Sequence, residues 1–401
     1  MEIQKTLSLA PRDKTRIRYN QHMSTLFSTI EKPTLLLDPL AVRRNIHRMA
    51  EKVRAANRAG QPVRFRPHFK THQSAEIGEW FRPEGVTAIT TSSVDMAQYF
   101  AASGWDDITI AFSANLRQAG ALAALAAQVK LGLLVESVET VQQLAQVIQQ
   151  PVDLWLKVDA GAHRTGLLWE NPSEAAQVIE AVRECSSQNA GRFRLRGLLT
   201  HAGNTYGGIG QDEVCRRYSE SGQHMQSLRS ALHEMGLGPL EISVGDTPGT
   251  SLCADLGPVD EIRPGNFVFY DAMQLHIGSC AWQDVAVALA CPVVAKHPER
   301  GEVIVYGGAV HLSKDYYLDN DRKVYGAVCL PDQDHWSAPL PGAYVSGVSQ
   351  EHGIIHMDAP DLQRVQIGDL LCVLPAHSCL TVTLMKKYLT LDGQWIDTMN
   401  V

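Results

Sequence analysis

Val86-Thr-Ala-Ile-Thr-Thr-Ser-Ser-Val-Asp-Met-Ala-Gln-Tyr-Phe-Ala-Ala-Ser-Gly104 reads as one complete unit of a repeating architecture. A short β-branched run, Val86–Thr91, leads into a helical stretch, Ser93–Ser103, which Gly104 stops as a left-handed terminal residue would. The unit recurs on both sides. Ile108–Phe112 precedes an alanine-rich helix, and Leu131–Val135 precedes a helix over Val138–Gln149. Val152–Val158, Leu195–His201, Ile242–Gly245 and Phe267–Tyr270 supply further apolar runs. Upstream, Thr34-Leu-Leu-Leu-Asp38 enters a helix that Asp38 caps and Pro39 opens, with Leu40, Ile46, Met49, Val53 and Ala56 as its apolar stripe. About eight strands alternating with helices over roughly 240 residues is the pattern of a (β/α)8 TIM-type barrel. It would occupy residues 30–275, and an open doubly wound sheet satisfies the same periodicity.

Beyond Asp271 the helical period fades. Val285–Ala290, Val293–Ala295, Val303–Val305, Tyr344–Val348, Leu370–Leu374 and Thr381–Leu384 are β-branched runs punctuated by Gly, Pro and Asp. They predict a C-terminal antiparallel β domain over residues 276–401. Residues 1–29 lack a strong period and are expected to pack against either domain.

The 401 residues are 45% hydrophobic and 20% charged, a globular composition suited to one large domain and one smaller. A net charge of −7 argues against a nucleic-acid partner, which would need a basic stripe. It leaves room for an anionic ligand held by backbone N–H groups. The first residues carry charges too closely spaced for a secretory apolar segment, and no run approaches the ~18 apolar residues of a membrane span. A cytoplasmic protein without a membrane partner is therefore expected. Eight cysteines, from Cys185 to Cys379 without a C-x-x-C pair, read as reduced, buried or ligand residues rather than as a disulfide framework.

The chemistry concentrates in Val63-Arg-Phe-Arg-Pro-His-Phe-Lys-Thr-His72. On a strand, Arg66, His68, Lys70 and His72 share one face while Phe65 and Phe69 point away. Such a polar face inside a barrel is costly unless it is used. A lysine at the C-terminal end of a barrel strand lies on the functional rim, and partial desolvation among cations prepares it for a Schiff base. By spacing alone, a surface lysine beside two solvated histidines is an equal reading. Leu374-Pro-Ala-His-Ser-Cys-Leu-Thr-Val382 sets His377 and Cys379 two apart, on one face of a strand, where imidazole and thiolate suit zinc. Water and substrate would fill the other positions; a buried cysteine beside a solvated histidine is the plainer reading of the same spacing. Val244-Gly-Asp-Thr-Pro-Gly-Thr-Ser251, directly after a strand, brings free N–H groups and Thr247 within reach of an anion.

Arg66-Pro-His-Phe-Lys-Thr-His72 resembles the cofactor-lysine motif of D-serine dehydratases and D-threonine aldolases, members of the fold type III pyridoxal phosphate enzymes that include alanine racemase. The resemblance runs from about Pro33 to near the C-terminus. It implies an alanine racemase-like barrel with a C-terminal β domain, Lys70 joined to pyridoxal phosphate, and a homodimer. Lys157-Val-Asp-Ala-Gly-Ala-His-Arg-Thr-Gly166 is similar to the family's arginine loop, which puts Arg164 at the ring nitrogen or phenolic oxygen. Thr200-His-Ala-Gly-Asn-Thr-Tyr206 matches the segment that brings a tyrosine to the phosphate, with Tyr218 as a second candidate. Glu261-Ile-Arg-Pro-Gly-Asn-Phe-Val-Phe-Tyr-Asp271 resembles the Pro-Gly-Asn-Tyr segment with Phe267 for tyrosine, so Gly265 and Asn266 would complete the phosphate cradle.

Dehydratases of the family carry H-x-C where the aldolases carry H-x-D, which implies a zinc-dependent dehydratase acting on a small β-hydroxy-D-amino acid such as D-serine. Ser349-Gln-Glu-His-Gly353 matches a segment upstream of the metal pair, making Glu351 and His352, with His68, outer-shell candidates. D-threo-3-hydroxyaspartate dehydratase, D-threonine aldolase, amino-acid racemase and non-catalytic cofactor carrier are the alternatives.

Overall fold

A computed structural model of the chain describes residues 25–56, 62–188 and 191–399. The expectation for residues 1–29 lies almost wholly outside them.

Eight parallel strands stand in the order Arg64–Phe65, Glu261–Ile262, Glu241–Gly245, Phe193–His201, Val152–Asp159, Lys130–Val135, Asp107–Ser113 and Ile89–Thr91. A parallel bridge between His68 and Thr90 joins the two ends and closes the barrel. Phe69 N donates to Thr90 O, and Thr90 N to Pro67 O, each at 2.9 Å. The repeats form for the reasons their sequence gives. Ser93 caps Val94–Ala102 by accepting from Met96 N at 3.1 Å, and Asp38 caps Pro39–Ala55 by accepting from Leu40 N and Ala41 N. Each such cap is worth about 1 kcal/mol. The Pro39 helix buries Ile46, Met49 and Val53, whereas Leu40 is exposed, because the core side of its first turn falls on Ala41 and Val42.

Three sequence assignments change. Thr34–Leu37 is not a barrel strand: it pairs antiparallel with Val287–Ala290 and parallel with Leu389–Thr390 in the second sheet. Phe267–Tyr270 is no strand either, but a 3-10 turn over Asn266–Val268 and its exit. The strands that replace them, Arg64–Phe65 and Glu261–Ile262, are two residues long and carry charge, so no apolar run announces them. Thr381–Leu384 lies in the helix Ser378–Met385. There the threonine hydroxyls bond carbonyls four residues back, Thr381 to His377 O at 3.3 Å and Thr383 to Cys379 O at 3.0 Å, which lets β-branched residues sit in a helix.

The buried charges Arg66 and Glu261 belong to a network of ion pairs at the N-terminal end of the barrel. Lys130 pairs with Asp107 at 2.6 Å, Asp107 with Arg66 at 2.6 Å, and Arg66 with Glu261 at 2.9 Å. The chain continues through Arg64 to Glu241 at 2.5 Å, and from Arg196 and Asp153 to Arg194. Signs alternate around the ring, so each buried charge has an opposite neighbour.

The second sheet is built on Val287–His297, the two predicted runs fused into one strand. Its first half, Leu289–Pro292, pairs with Leu370–Val373, and its second half, from Val293, pairs with Glu302–Val305 with an irregularity between Val293 and Ala295. With His352–Met357, Ala343–Val348 and Gly326–Cys329 between them, six antiparallel strands close on themselves. Cys215 and Cys253 form a disulfide with Cα atoms 5.4 Å apart, contrary to the expectation of reduced cysteines, because the fold brings two helix-borne positions 38 residues apart into register. No described helix is long and apolar enough to cross a membrane.

Candidate active site

The lysine segment leaves the sheet at the His68–Thr90 bridge and turns, so strand alternation ends there. Lys70 is half-buried at the barrel mouth, its N–H directed to His68 Nδ1 at 3.4 Å and its carbonyl accepting from Gln73 Nε2 at 3.0 Å. His72 does not share its face. The turn rotates that ring into the core, 4.4 Å from Phe69 and 5.6 Å from Phe81, and burial lowers its pKa to about 3. Arg66 points to the ion-pair network at the other end of the barrel.

Two imidazoles and two cations surround the lysine. His201 Nδ1 donates to the Gly245 carbonyl; burial, then the charge of Lys70, lowers its pKa to about 3. Burial and Lys70 push His68 well below the ordinary histidine value, with Arg263 adding to both effects. Arg263 is buried, its Nε donating to Ser243 Oγ at 2.7 Å and its Nη2 to Thr200 O at 2.6 Å. Arg164 is exposed on a loop whose shape is fixed from within. Asp159 Oδ1 accepts from the N–H groups of Gly161, Ala162 and His163, each at 3.0 Å. Lys157 Nζ donates to the carbonyls of Val158 and Thr165 at 2.9 and 3.1 Å. Gly166, at φ +113°, crosses so close that a Cβ would meet Asp159 N at 2.6 Å.

The anion-binding loops converge beside this group. Asp246 accepts from Thr205 Oγ1 at 2.9 Å and Gly249 N at 2.6 Å, tying the Tyr206 turn to the Thr247 loop. Tyr206 is half-buried, with burial pushing its phenol pKa up and the Thr247 hydroxyl nearby; the hydroxyl of Thr247 is buried and makes no hydrogen bond of good geometry. Gly265 lies against the lysine segment, where a Cβ would meet His68 O at 2.9 Å. Tyr218 is not among these donors. Its hydroxyl donates to Leu256 O at 3.1 Å and its ring packs against Gly249, so it braces the Thr247 loop from behind. The Asn266 amide is spent elsewhere as well, on Asp271 Oδ2 at 2.7 Å and Ser378 Oγ at 3.0 Å, with Cys379 Sγ at 3.8 Å.

His377 caps the helix Ser378–Met385 and Cys379 occupies its first turn, so the pair converges at a helix start rather than along a strand. Thr71 Oγ1 lies 3.2 Å from Cys379 Sγ, which joins the pair directly to the lysine segment. Burial opposes charge on both members, yet each favours it in the other: the thiol is pulled down beside His377 and the imidazole pushed up beside Cys379. Asp315 Oδ2 holds His377 Nδ1 at 2.8 Å and leaves Nε2 free for a ligand. Glu351 and His352 do not take that place. Glu351 faces His311 at 4.0 Å, and His352 opens a strand opposite Tyr306. No cluster of three His, Cys, Asp or Glu suited to a metal occurs among the described residues.

A family model for the alanine racemase N-terminal domain matches residues 37–272, and one for a serine dehydratase domain matches residues 286–391. The chain is 31% identical to D-threo-3-hydroxyaspartate dehydratase of Delftia sp. (strain HT23), over 92% of this chain and 97% of that protein. The chain belongs to this family. The solved structure of the Delftia enzyme superposes with a TM-score of 0.81 at 29% identity, over 93% of this chain and 98% of the other. D-serine dehydratase of Dictyostelium discoideum is 24% identical over 90% of this chain and 93% of its own length.

Within this dehydratase-family site, sequence reading missed four contributors. Asp315 lies in an irregular linker with no period to mark it. Arg263 and His201 stood inside quoted motifs but were passed over for their glycine, asparagine and tyrosine neighbours. Asp271 read as the end of a strand. Any signal in them was residue type alone, and only folding gives it a position.

Proposed function

We propose that the chain is a lyase that uses pyridoxal phosphate and zinc to eliminate water from a β-hydroxy-D-amino acid, in the manner of a D-serine dehydratase, giving a 2-oxo acid and ammonia. The observation that carries it is the 3.2 Å contact between Thr71, next to Lys70, and Cys379, because it sets an amine and a soft-metal thiolate at one barrel mouth.

The residues fit both groups. A phosphate would meet the unpartnered Thr247 hydroxyl, the Tyr206 phenol and free N–H groups of the loop after Val244. A zinc ion would meet His377 Nε2, whose tautomer Asp315 sets, and a thiol already drawn toward thiolate. A solved D-threo-3-hydroxyaspartate dehydratase with a cysteine replaced by alanine is in a metal-free form, which supports a metal in that relative. When bound, pyridoxal phosphate supplies an electron sink and zinc a Lewis acid for a poor hydroxide leaving group.

The chain's own groups do the rest. Lys70 Nζ would hold the cofactor and, as a free amine, would take the α-proton. His68 and His201, kept neutral by burial, place no further positive charge beside the lysine and offer none to a carboxylate. Arg164 lies on the loop that Lys157 and Asp159 stiffen, and we assign it to the cofactor ring. In this reading the barrel holds the cofactor, the second domain brings the metal pair, and two copies assemble with the exposed Phe112, Leu168 and Ile209 at the mouth. D-threo-3-hydroxyaspartate is the second substrate reading, favoured by the 31% identity to the Delftia enzyme.

Purified protein incubated with a panel of D-amino acids is expected to release 2-oxo acid and ammonia. Glycine with an aldehyde, an inverted amino acid or no product overturns the reading in favour of aldolase, racemase or carrier. Chelation is expected to abolish turnover while absorbance of the lysine-bound cofactor persists, and full activity in metal-free protein removes zinc from the mechanism.

A further inference from the structure

Asp271 is 2% exposed and makes no direct ion pair among the described residues, the His377 imidazole acting on it only through space, an expensive position for a carboxylate. Its satisfaction is instead entirely by donors, from three directions. Oδ1 accepts from Gln274 N at 2.9 Å and so caps the helix Ala272–Ile277, which follows the last barrel strand. Oδ2 accepts from Ser378 N at 3.0 Å, the first N–H of the helix that carries Cys379. The same oxygen accepts from Asn266 Nδ2 at 2.7 Å and lies 3.4 Å from Ser378 Oγ. Asn266 in turn reaches Ser378 Oγ and, at 3.8 Å, Cys379 Sγ. One carboxylate oxygen thus joins the end of the barrel to the turn between His377 and Cys379.

We infer that Asp271, with Asn266, is the positioning clamp of the metal pair: it fixes the His377–Cys379 turn to the barrel and places a negative charge just outside the cation. The inference rests on the zinc reading above. Partners of this kind hold a ligand's direction and balance the ion's charge, and losing one weakens metal binding about 10- to 100-fold. A helix cap alone would affect stability and leave metal affinity where it was. The clamp also gives the Asn266 side chain a role other than phosphate binding, since its Nδ2 is engaged by Asp271 Oδ2 and Ser378 Oγ.

Zinc affinity of the full-length protein, by competition with a chromophoric chelator, tests this in wild type, Asp271→Asn and Asn266→Ala. Asparagine at 271 would oppose the Ser378 and Asn266 donors with N–H groups of its own. The wild type is expected to take up zinc, and both variants to bind it at least tenfold more weakly while the lysine-bound cofactor keeps its absorbance. Cobalt-substituted variants should show altered visible bands, a signature that a purely structural cap would not move. If Asp271→Asn yields no folded protein, Asn266→Ala decides. Variants that bind zinc within twofold of wild type overturn the clamp and leave the functional reading intact. A wild-type protein that takes up no zinc overturns both.

Discussion

At the closed end of the barrel Arg66 lies 2.6 Å from Asp107 and 2.9 Å from Glu261. Four residues further along the same segment, Lys70 has no carboxylate partner among the described residues, and its charge falls on His68, His201 and Cys379. One polar stretch therefore serves two ends of the molecule in opposite ways. At the closed end, opposite charges are matched and the ions are structural. At the mouth, a cation is left among imidazoles that burial keeps neutral, with no carboxylate to cancel it. A charged residue inside a barrel is thus not by itself a sign of catalysis; what separates the two cases is whether its charge is cancelled.

Lys70→Ala should test the contrast with the largest effect. Turnover is expected to fall by at least roughly a thousandfold and the absorbance of lysine-bound cofactor to vanish, with unfolding in urea shifted little, since the side chain is half-buried and makes no ion pair. Activity that survives at a tenth of wild type would mean that another amine does the chemistry. Glu261→Gln should do the reverse. It leaves buried Arg66 with Asp107 as its one carboxylate partner at the closed end, and removing one member of a buried pair costs up to about 3–5 kcal/mol. Turnover per folded molecule should stay within a factor of two.

The same carboxylate predicts an acid limb. Full burial opposes its ionisation, but Arg66 and Arg64 hold the folded pKa at about 2 against an ordinary value of 4.5. Because the folded value lies below the unfolded one, the stabilisation is complete above pH 4.5 and drains away as pH falls toward 2. Unfolding midpoints measured across that window should fall steeply in the wild type and less in Glu261→Gln. Parallel pH curves for the two proteins would show that the network does not carry the acid sensitivity.

The same contrast explains what the sequence disclosed and what it withheld. Strands that bury apolar faces, such as Lys130–Val135 and Val152–Asp159, were legible, as were their caps, because period and cap chemistry are local. Arg64–Phe65 and Glu261–Ile262 were not, since charge replaces the apolar run where the network needs it. Thr34–Leu37 looked like any barrel strand, and only the distant Val287–Ala290 decides its sheet. Lys70, His377 and Cys379 could be picked from motifs. Their surroundings could not: Asp315 lies 62 residues from His377 and Asp271 lies 107 residues from Ser378, separations that no local pattern spans.

The smallest effects come from two tyrosines that the sequence offered for one task. Tyr206 stands at the mouth with its phenol beside Thr247, while Tyr218 packs behind the same loop and donates to the Leu256 carbonyl. In the proposed role, Tyr206→Phe would remove a hydrogen bond to a charged phosphate, a loss of about 1.5–3 kcal/mol, so cofactor affinity should drop on the order of ten- to a hundredfold. Tyr218→Phe removes a neutral bond and leaves a buried carbonyl without its donor, which should cost about 1 kcal/mol in stability and leave cofactor affinity within twofold. Titrating cofactor-free protein with pyridoxal phosphate, and separately with phosphate-free pyridoxal, distinguishes the two. The Tyr206 defect should appear only with the phosphorylated form. An equal loss in Tyr218→Phe would mean that the loop is held in shape by its outer support as much as by the ligand it faces, and the distinction between contact and brace would fail at this site.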